Sequence, residues 1–90
     1  MGREINTMNL SKLEEGEVVM EGMRKALVVG NDRETGIVST IGDDIFGGVD
    51  LALRKYDPEN GCLISVESSE HIFPGNENYK DYQLKLKNVV

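Results

Sequence analysis

The amino-acid sequence predicts a mainly β domain: a five- or six-stranded antiparallel meander curled into a small barrel or twisted sheet, with a short N-terminal helix or arm. Two observations carry this expectation. A five-residue turn pattern occurs twice, as Asp32-Arg33-Glu34-Thr35-Gly36 and again as Asp57-Pro58-Glu59-Asn60-Gly61. Three later segments alternate apolar and polar residues with a period of two, the pattern of a sheet with one buried and one wet face.

Each copy of the turn lies between two β-forming runs. Ala26-Leu27-Val28-Val29-Gly30-Asn31 enters the first and Ile37-Val38-Ser39-Thr40-Ile41 leaves it; Leu51-Ala52-Leu53-Arg54-Lys55-Tyr56 enters the second and Cys62-Leu63-Ile64-Ser65-Val66 leaves it. Asp bonds its side chain back to the chain at the start of a turn, Pro58 pre-sets φ, and Gly accepts the positive φ that closes a hairpin. Both stretches therefore read as hairpins built to one plan.

Taken in order, residues 1–10 carry few fold signals and read as a flexible lead, with the domain proper over 11–90. Ser11-Lys12-Leu13-Glu14 matches a capping box, so a short helix is expected there before Gly16 stops it. Glu17-Val18-Val19-Met20 reads as a strand, and Glu21-Gly22 turns it back into Met23–Val29. A single amphipathic helix from about Leu13 to Leu27 is the competing reading. Gly16 and Gly22 inside it would each cost up to about 1 kcal/mol relative to Ala.

Val49, Leu51 and Leu53 alternate with Asp50, Ala52 and Arg54; Cys62, Ile64 and Val66 with Leu63, Ser65 and Glu67; Tyr82, Leu84 and Leu86 with Gln83, Lys85 and Lys87. The first member of each set is expected inward, and mapping the repeat back adds Ala26, Val28, Ile37 and Ile41. Leu27, Val29 and Val38 are apolar on the opposite face, so the first hairpin is expected to be central or covered, with the N-terminal segment as a candidate cover. The stretch ending Tyr82–Lys87 reads as the last strand, and as an edge through which a homodimer could form.

Composition bounds the function. Ninety residues make one domain, and a net charge of −6 disfavours contact with phosphate backbones, so nucleic acid is not the expected partner. One cysteine, Cys62, excludes an intrachain disulfide and a thiolate cluster and leans towards a cytoplasmic location. No apolar run is long enough to span a bilayer and the amino terminus lacks the apolar core of a signal peptide, so no membrane association is expected.

Three groups of residues invite chemistry. Asp43, Asp44 and Asp50 lie in or beside a glycine-framed loop and are candidate oxygen ligands for a hard cation, although Asp-rich turns of this kind usually only solvate a loop. His71, the only histidine, stands in Ser68-Ser69-Glu70-His71, which suggests a hydrolase; no Gly-x-Ser-x-Gly elbow or Walker loop supports it. Arg54, Tyr56, Lys85 and Lys87 are expected on an outward sheet face as a mixed, partly basic patch, and Ile45 and Phe46 on the loop 42–48. These six form the expected interaction surface.

Val28-Val29-Gly30-Asn31-Asp32-Arg33-Glu34-Thr35-Gly36-Ile37-Val38 resembles the start of an ACT domain, in which a strand runs through Asp-Arg-Pro-Gly-Ile-Val into a helix. The resemblance implies a ferredoxin-like α+β fold, amino-acid binding with Asn31, Asp32 and Gly36 at the ligand loop, and side-by-side dimers. It spans eleven residues and departs from the family by one extra residue and the absence of proline.

The function expected from these readings is non-enzymatic. The chain is read as an adaptor or inhibitor that binds another protein, one with a basic surface, through its sheet face, a strand edge or the loops 42–48 and 70–78. No cofactor is expected. A small-molecule-binding regulatory domain of the ACT type is the alternative, and a small hydrolase using His71 the third reading.

Overall fold

In the computed structural model, which describes residues 4–44 and 46–88, five strands form one antiparallel sheet in the order of the chain: β1 (Val18–Glu21), β2 (Arg24–Asp32), β3 (Ile37–Asp43), β4 (Val49–Tyr56) and β5 (Leu63–Ile72). The sheet is a meander that does not close: β1 and β5 remain at its edges. Among the described residues no helix is long and apolar enough to cross a membrane.

The repeated turns do what their residues dictate. Asp32 Oδ1 accepts the backbone N–H groups of Glu34 at 3.0 Å and Thr35 at 3.3 Å, and Gly36 N donates to Asp32 O at 2.8 Å. In the second copy Asp57 Oδ1 accepts Glu59 N at 2.9 Å, and Gly61 N donates to Asp57 O at 2.6 Å. Gly36 and Gly61 share a φ of +75°, a conformation that L side chains adopt only with strain.

Both sheet faces are covered. On the concave face Val19, Ala26, Val28, Val38 and Tyr56 pack against Ile5, Leu10 and Leu13. The segment read from sequence as a flexible lead thus includes two fully buried core residues, Ile5 and Leu10. It folds as two 3-10 turns, Ile5–Thr7 and Leu10–Lys12. Backbone carbonyls of this segment are met by the end of β2 and the turn after it: Asn31 Nδ2 donates to Leu10 O at 3.0 Å and Leu13 O at 2.8 Å, and Arg33 donates to Ser11 O and Leu13 O. The expected capping box does not form. Asn9 takes the capping role, its Oδ1 accepting Ser11 N, while Glu14 N donates to a Glu17 carboxylate oxygen.

On the opposite face Leu27, Ile41, Val49 and Ile72 pack with Leu86. Leu86 belongs to α1 (Tyr79–Lys87), which replaces the expected last strand. Tyr79, Tyr82 and Leu86 recur at helical spacing and lie against the sheet, while Leu84 is 60% exposed. Because Tyr79–Lys87 is a helix, it does not provide the strand edge on which the homodimer expectation rested.

Four further expectations change. Ile37–Asp43 is a strand and the one α-helix among the described residues follows all five strands, so the ferredoxin-like ACT arrangement is overturned. Register pairs Val28 with Thr40 and Leu27 with Ile41, which puts Val38 on the concave face with Ala26 and Val28 and sends Ile41 to the helix face. Cys62, Ile64 and Val66 are not inward. Cys62 is exposed, and Ile64 and Val66 are 59% and 54% exposed, because β5 is an edge strand whose register shifts twice against β4. Arg54 and Tyr56 are not outward: they are 4% and 0% exposed on the concave face.

Candidate functional site

Three connections converge at one end of the sheet. Glu21–Arg24 closes β1 on β2, residues 44–48 join β3 to β4, and β5 ends at Ile72 opposite Val49. Gly48 lets two of them touch, since a Cβ there would stand 2.7 Å from Ile72 O and 2.9 Å from the Phe73 ring. Tyr79 of α1 adds a bond from its hydroxyl to Gly47 O at 3.3 Å.

Asp44 organises the β3–β4 loop. Its backbone N donates to Gly48 O and its carbonyl accepts Gly47 N, both at 3.0 Å, and its Oδ1 accepts Phe46 N at 2.9 Å. The remaining oxygen, Oδ2, lies 2.8 Å from His71 Nδ1. That same nitrogen is 2.6 Å from Asp50 Oδ1, a buried oxygen for which the His71 contact is electrostatic rather than an aligned hydrogen bond. Arg24 Nη2 stands 3.5 Å from Asp50 Oδ2, while its Nη1 donates to Asp43 O at 3.0 Å. The His71 ring stacks on Phe73, with centroids 6.2 Å apart and 23° between planes.

The charges respond to these neighbours. The Phe46 N–H, then His71, hold the Asp44 carboxyl below the usual carboxylate range. The Asp44 hydrogen bond, then the charge of Asp50, raise His71 above the ordinary histidine value. Asp44 is nearly enclosed, its side chain 3% exposed, whereas the His71 side chain is 58% exposed and open to protons from solvent.

Of the three candidate cation ligands, Asp44 and Asp50 come together and Asp43 does not: its side chain is exposed and only its carbonyl takes part. Asp44, Asp50 and His71 can offer one ligand atom each within 4.8 Å. An ion bound tetrahedrally with bonds near 2 Å holds its ligand atoms about 3.3 Å apart. The 2.8 and 2.6 Å separations are shorter than that and suit a hydrogen bond to Asp44 and an ion-pair contact with Asp50 instead, and Arg24 supplies the second positive charge.

The remaining expected residues are dispersed. Ile45 lies outside the described residues. Phe46 is 79% exposed beside the cluster. Arg54 and Tyr56 are in the core, and Lys85 and Lys87 are on α1, where Lys85 pairs with Asp81 at 3.4 Å. Ser69 and His71 line one cavity of about 200 Å³ with Glu21, Arg24 and Asp50, but among the described residues no hydrogen bond joins the serine to the imidazole. Arg24, Met23 and Phe73 belong to this end of the molecule without any motif to mark them, and His71 enters through its acids rather than its serines. Comparisons of the chain with protein-family models, with curated proteins and with solved structures find no match.

Proposed function

We propose that the protein is a non-enzymatic interaction module that docks to another protein through this loop end. One observation supports the reading: Met23, Phe46 and Phe73, 97%, 79% and 46% exposed, stand around the Arg24–Asp50–His71–Asp44 cluster on three connections that meet at one end of the sheet. Large apolar side chains gathered around ordered charges are the composition of docking surfaces, where aromatic anchors carry most of the affinity.

The other expected routes are less favourable. The concave face is filled by the N-terminal segment. Edge strand β5 carries two register shifts against β4, and bulges of that kind disfavour pairing with a further strand. A net charge of −6 favours, through steering, a partner with a basic rim around its apolar pocket.

The test is retention of a protein partner from extract by the immobilised full chain, compared with Met23→Ser/Phe46→Ser and with Lys85→Glu/Lys87→Glu on α1. The loop variant is expected to lose the partner and the helix variant to keep it. Retention by the loop variant with loss by the helix variant would assign docking to α1 and overturn the proposal.

A further inference from the structure

We propose that His71 is a proton-operated latch on the β3–β4 loop, closed when the imidazole is protonated and released when it is neutral. Control of docking by this latch rests on the function proposed above; the latch itself rests on the cluster.

His71 Nδ1 stands between two carboxylate oxygens, at 2.8 Å from Asp44 and 2.6 Å from Asp50, all three atoms within 4.8 Å of one another. With His71 charged, two anions face two cations, the second being Arg24 on Asp50. A neutral imidazole leaves one net negative charge and two carboxylates beside the same uncharged nitrogen. The remaining charged groups near the ring do not restore the balance: Glu21 of β1 is engaged by Arg54, and Lys25 of β2 lines the same cavity but is exposed and, among the described residues, pairs with neither Asp44 nor Asp50. Asp43, at the end of β3, meets the cluster only through its carbonyl on Arg24. Beyond β5 the contact is the Phe73 ring, and from α1 it is the Tyr79 hydroxyl on Gly47.

The repulsion is relieved at the loop. Asp50 is fixed in β4, paired on one side with Gly42 and on the other with His71 itself. Asp44 lies just outside the strands, and its carboxylate and backbone hold Phe46 and Gly47 in place. Segments held by few bonds at the end of a sheet open at lower free energy than the strands they join. Releasing Asp44 therefore unseats Phe46, one of the anchors.

Because the chain has a single histidine, its ring resonances in a nuclear magnetic resonance titration belong to His71 without ambiguity. The experiment follows those resonances and the amide-exchange protection of Phe46 and Gly47 in the full chain from pH 5 to 9, with Gly36 at the far end of the sheet as the reference. Protection at Phe46 and Gly47 is expected to fall, relative to Gly36, through the His71 midpoint. By linkage, the fold loss equals the ratio of His71 acid constants in the open and closed loop. Asp44→Asn lowers the midpoint, and His71→Asn makes relative protection independent of pH. Unchanged loop protection while His71 titrates overturns the latch, and that result on the unmodified chain stands even if a variant fails to fold. If the loop responds while partner retention does not, the latch holds and the docking reading fails.

Discussion

Arg54 on β4 places its Nη2 2.9 Å from Glu21 Oε2 on β1, although β2 and β3 lie between those strands in the sheet. A flat sheet spaces neighbours about 4.8 Å apart, beyond a side chain's reach across three intervals. The contact therefore measures the curvature: the concave face turns in far enough for its first and fourth strands to meet over the core. Thr40 on β3 takes a second guanidinium bond at 3.0 Å, from Nη1, while Nε remains buried without a partner.

That arrangement predicts unequal costs at one position. Arg54→Ala removes both bonds and the aliphatic stem, and should destabilise by about 2–4 kcal/mol in urea unfolding. Arg54→Met keeps the stem and removes the unpartnered Nε, so it should recover at least half of that loss. Glu21→Gln should cost less than Arg54→Ala, since the Glu21 side chain is 40% exposed and its amide oxygen can still accept from Arg54. An Arg54→Met as damaging as Arg54→Ala would show that the charge, not the packing, closes the sheet.

Asn31 is the tie between the N-terminal segment and the sheet. Its amide donates twice to the 3-10 turns, and its Oδ1 accepts the Tyr56 hydroxyl at 2.6 Å. Asn31→Asp keeps the acceptor and loses both donors, facing a carboxylate towards two carbonyls. A loss of about 2–4 kcal/mol is expected. Proteolysis should then cut first within residues 6–12; cutting first at the Asp57–Gly61 turn would place the weak point elsewhere.

The two turns were legible because their bonds are local: each Asp meets N–H groups two or three residues on, and each Gly supplies the φ. The last element was not, because Tyr82, Leu84 and Leu86 satisfy a period of two while Tyr79, Tyr82 and Leu86 satisfy a helix. Asp81 and Lys85, at i and i+4 and now 3.4 Å apart, were the helical signal. The cluster was hidden for a different reason. Tyr56 pairs with Leu63, so an unbroken ladder would set Asp50 opposite Ser69; the two register shifts bring His71 there instead. Bulges have no reliable mark in these residues, and Asp44 and His71 are distant in the chain.

The positive-φ glycines should differ according to their surroundings. Gly22, at +63°, has nothing near its missing Cβ, so Gly22→Ala should cost about 1–2 kcal/mol from backbone strain alone. At Gly36 a Cβ would stand 2.5 Å from Tyr56 O, which neighbours the backbone bond from Tyr56 N to Gly36 O. Gly36→Ala should therefore cost about 3 kcal/mol or more. Equal unfolding midpoints for the two variants would contradict the close approach of the two turns.

Stability should pass through a plateau in mildly acidic solution. His71 binds its proton more tightly in the fold than in the unfolded chain, so its contribution is complete below about pH 6.5 and is lost as pH rises through the raised folded value. Asp44, held down first by the Phe46 N–H, and Asp32, held down first by the Thr35 N–H, act in the opposite sense. Their contribution is present above the ordinary value of 3.8 and is lost as pH falls through their lowered folded values. Melting temperatures followed by circular dichroism should thus be highest between about pH 4 and 6.5. His71→Asn should flatten the alkaline side and leave the fall due to Asp32 on the acid side. An alkaline decline of equal size in His71→Asn would assign it to other groups and remove the imidazole from the account.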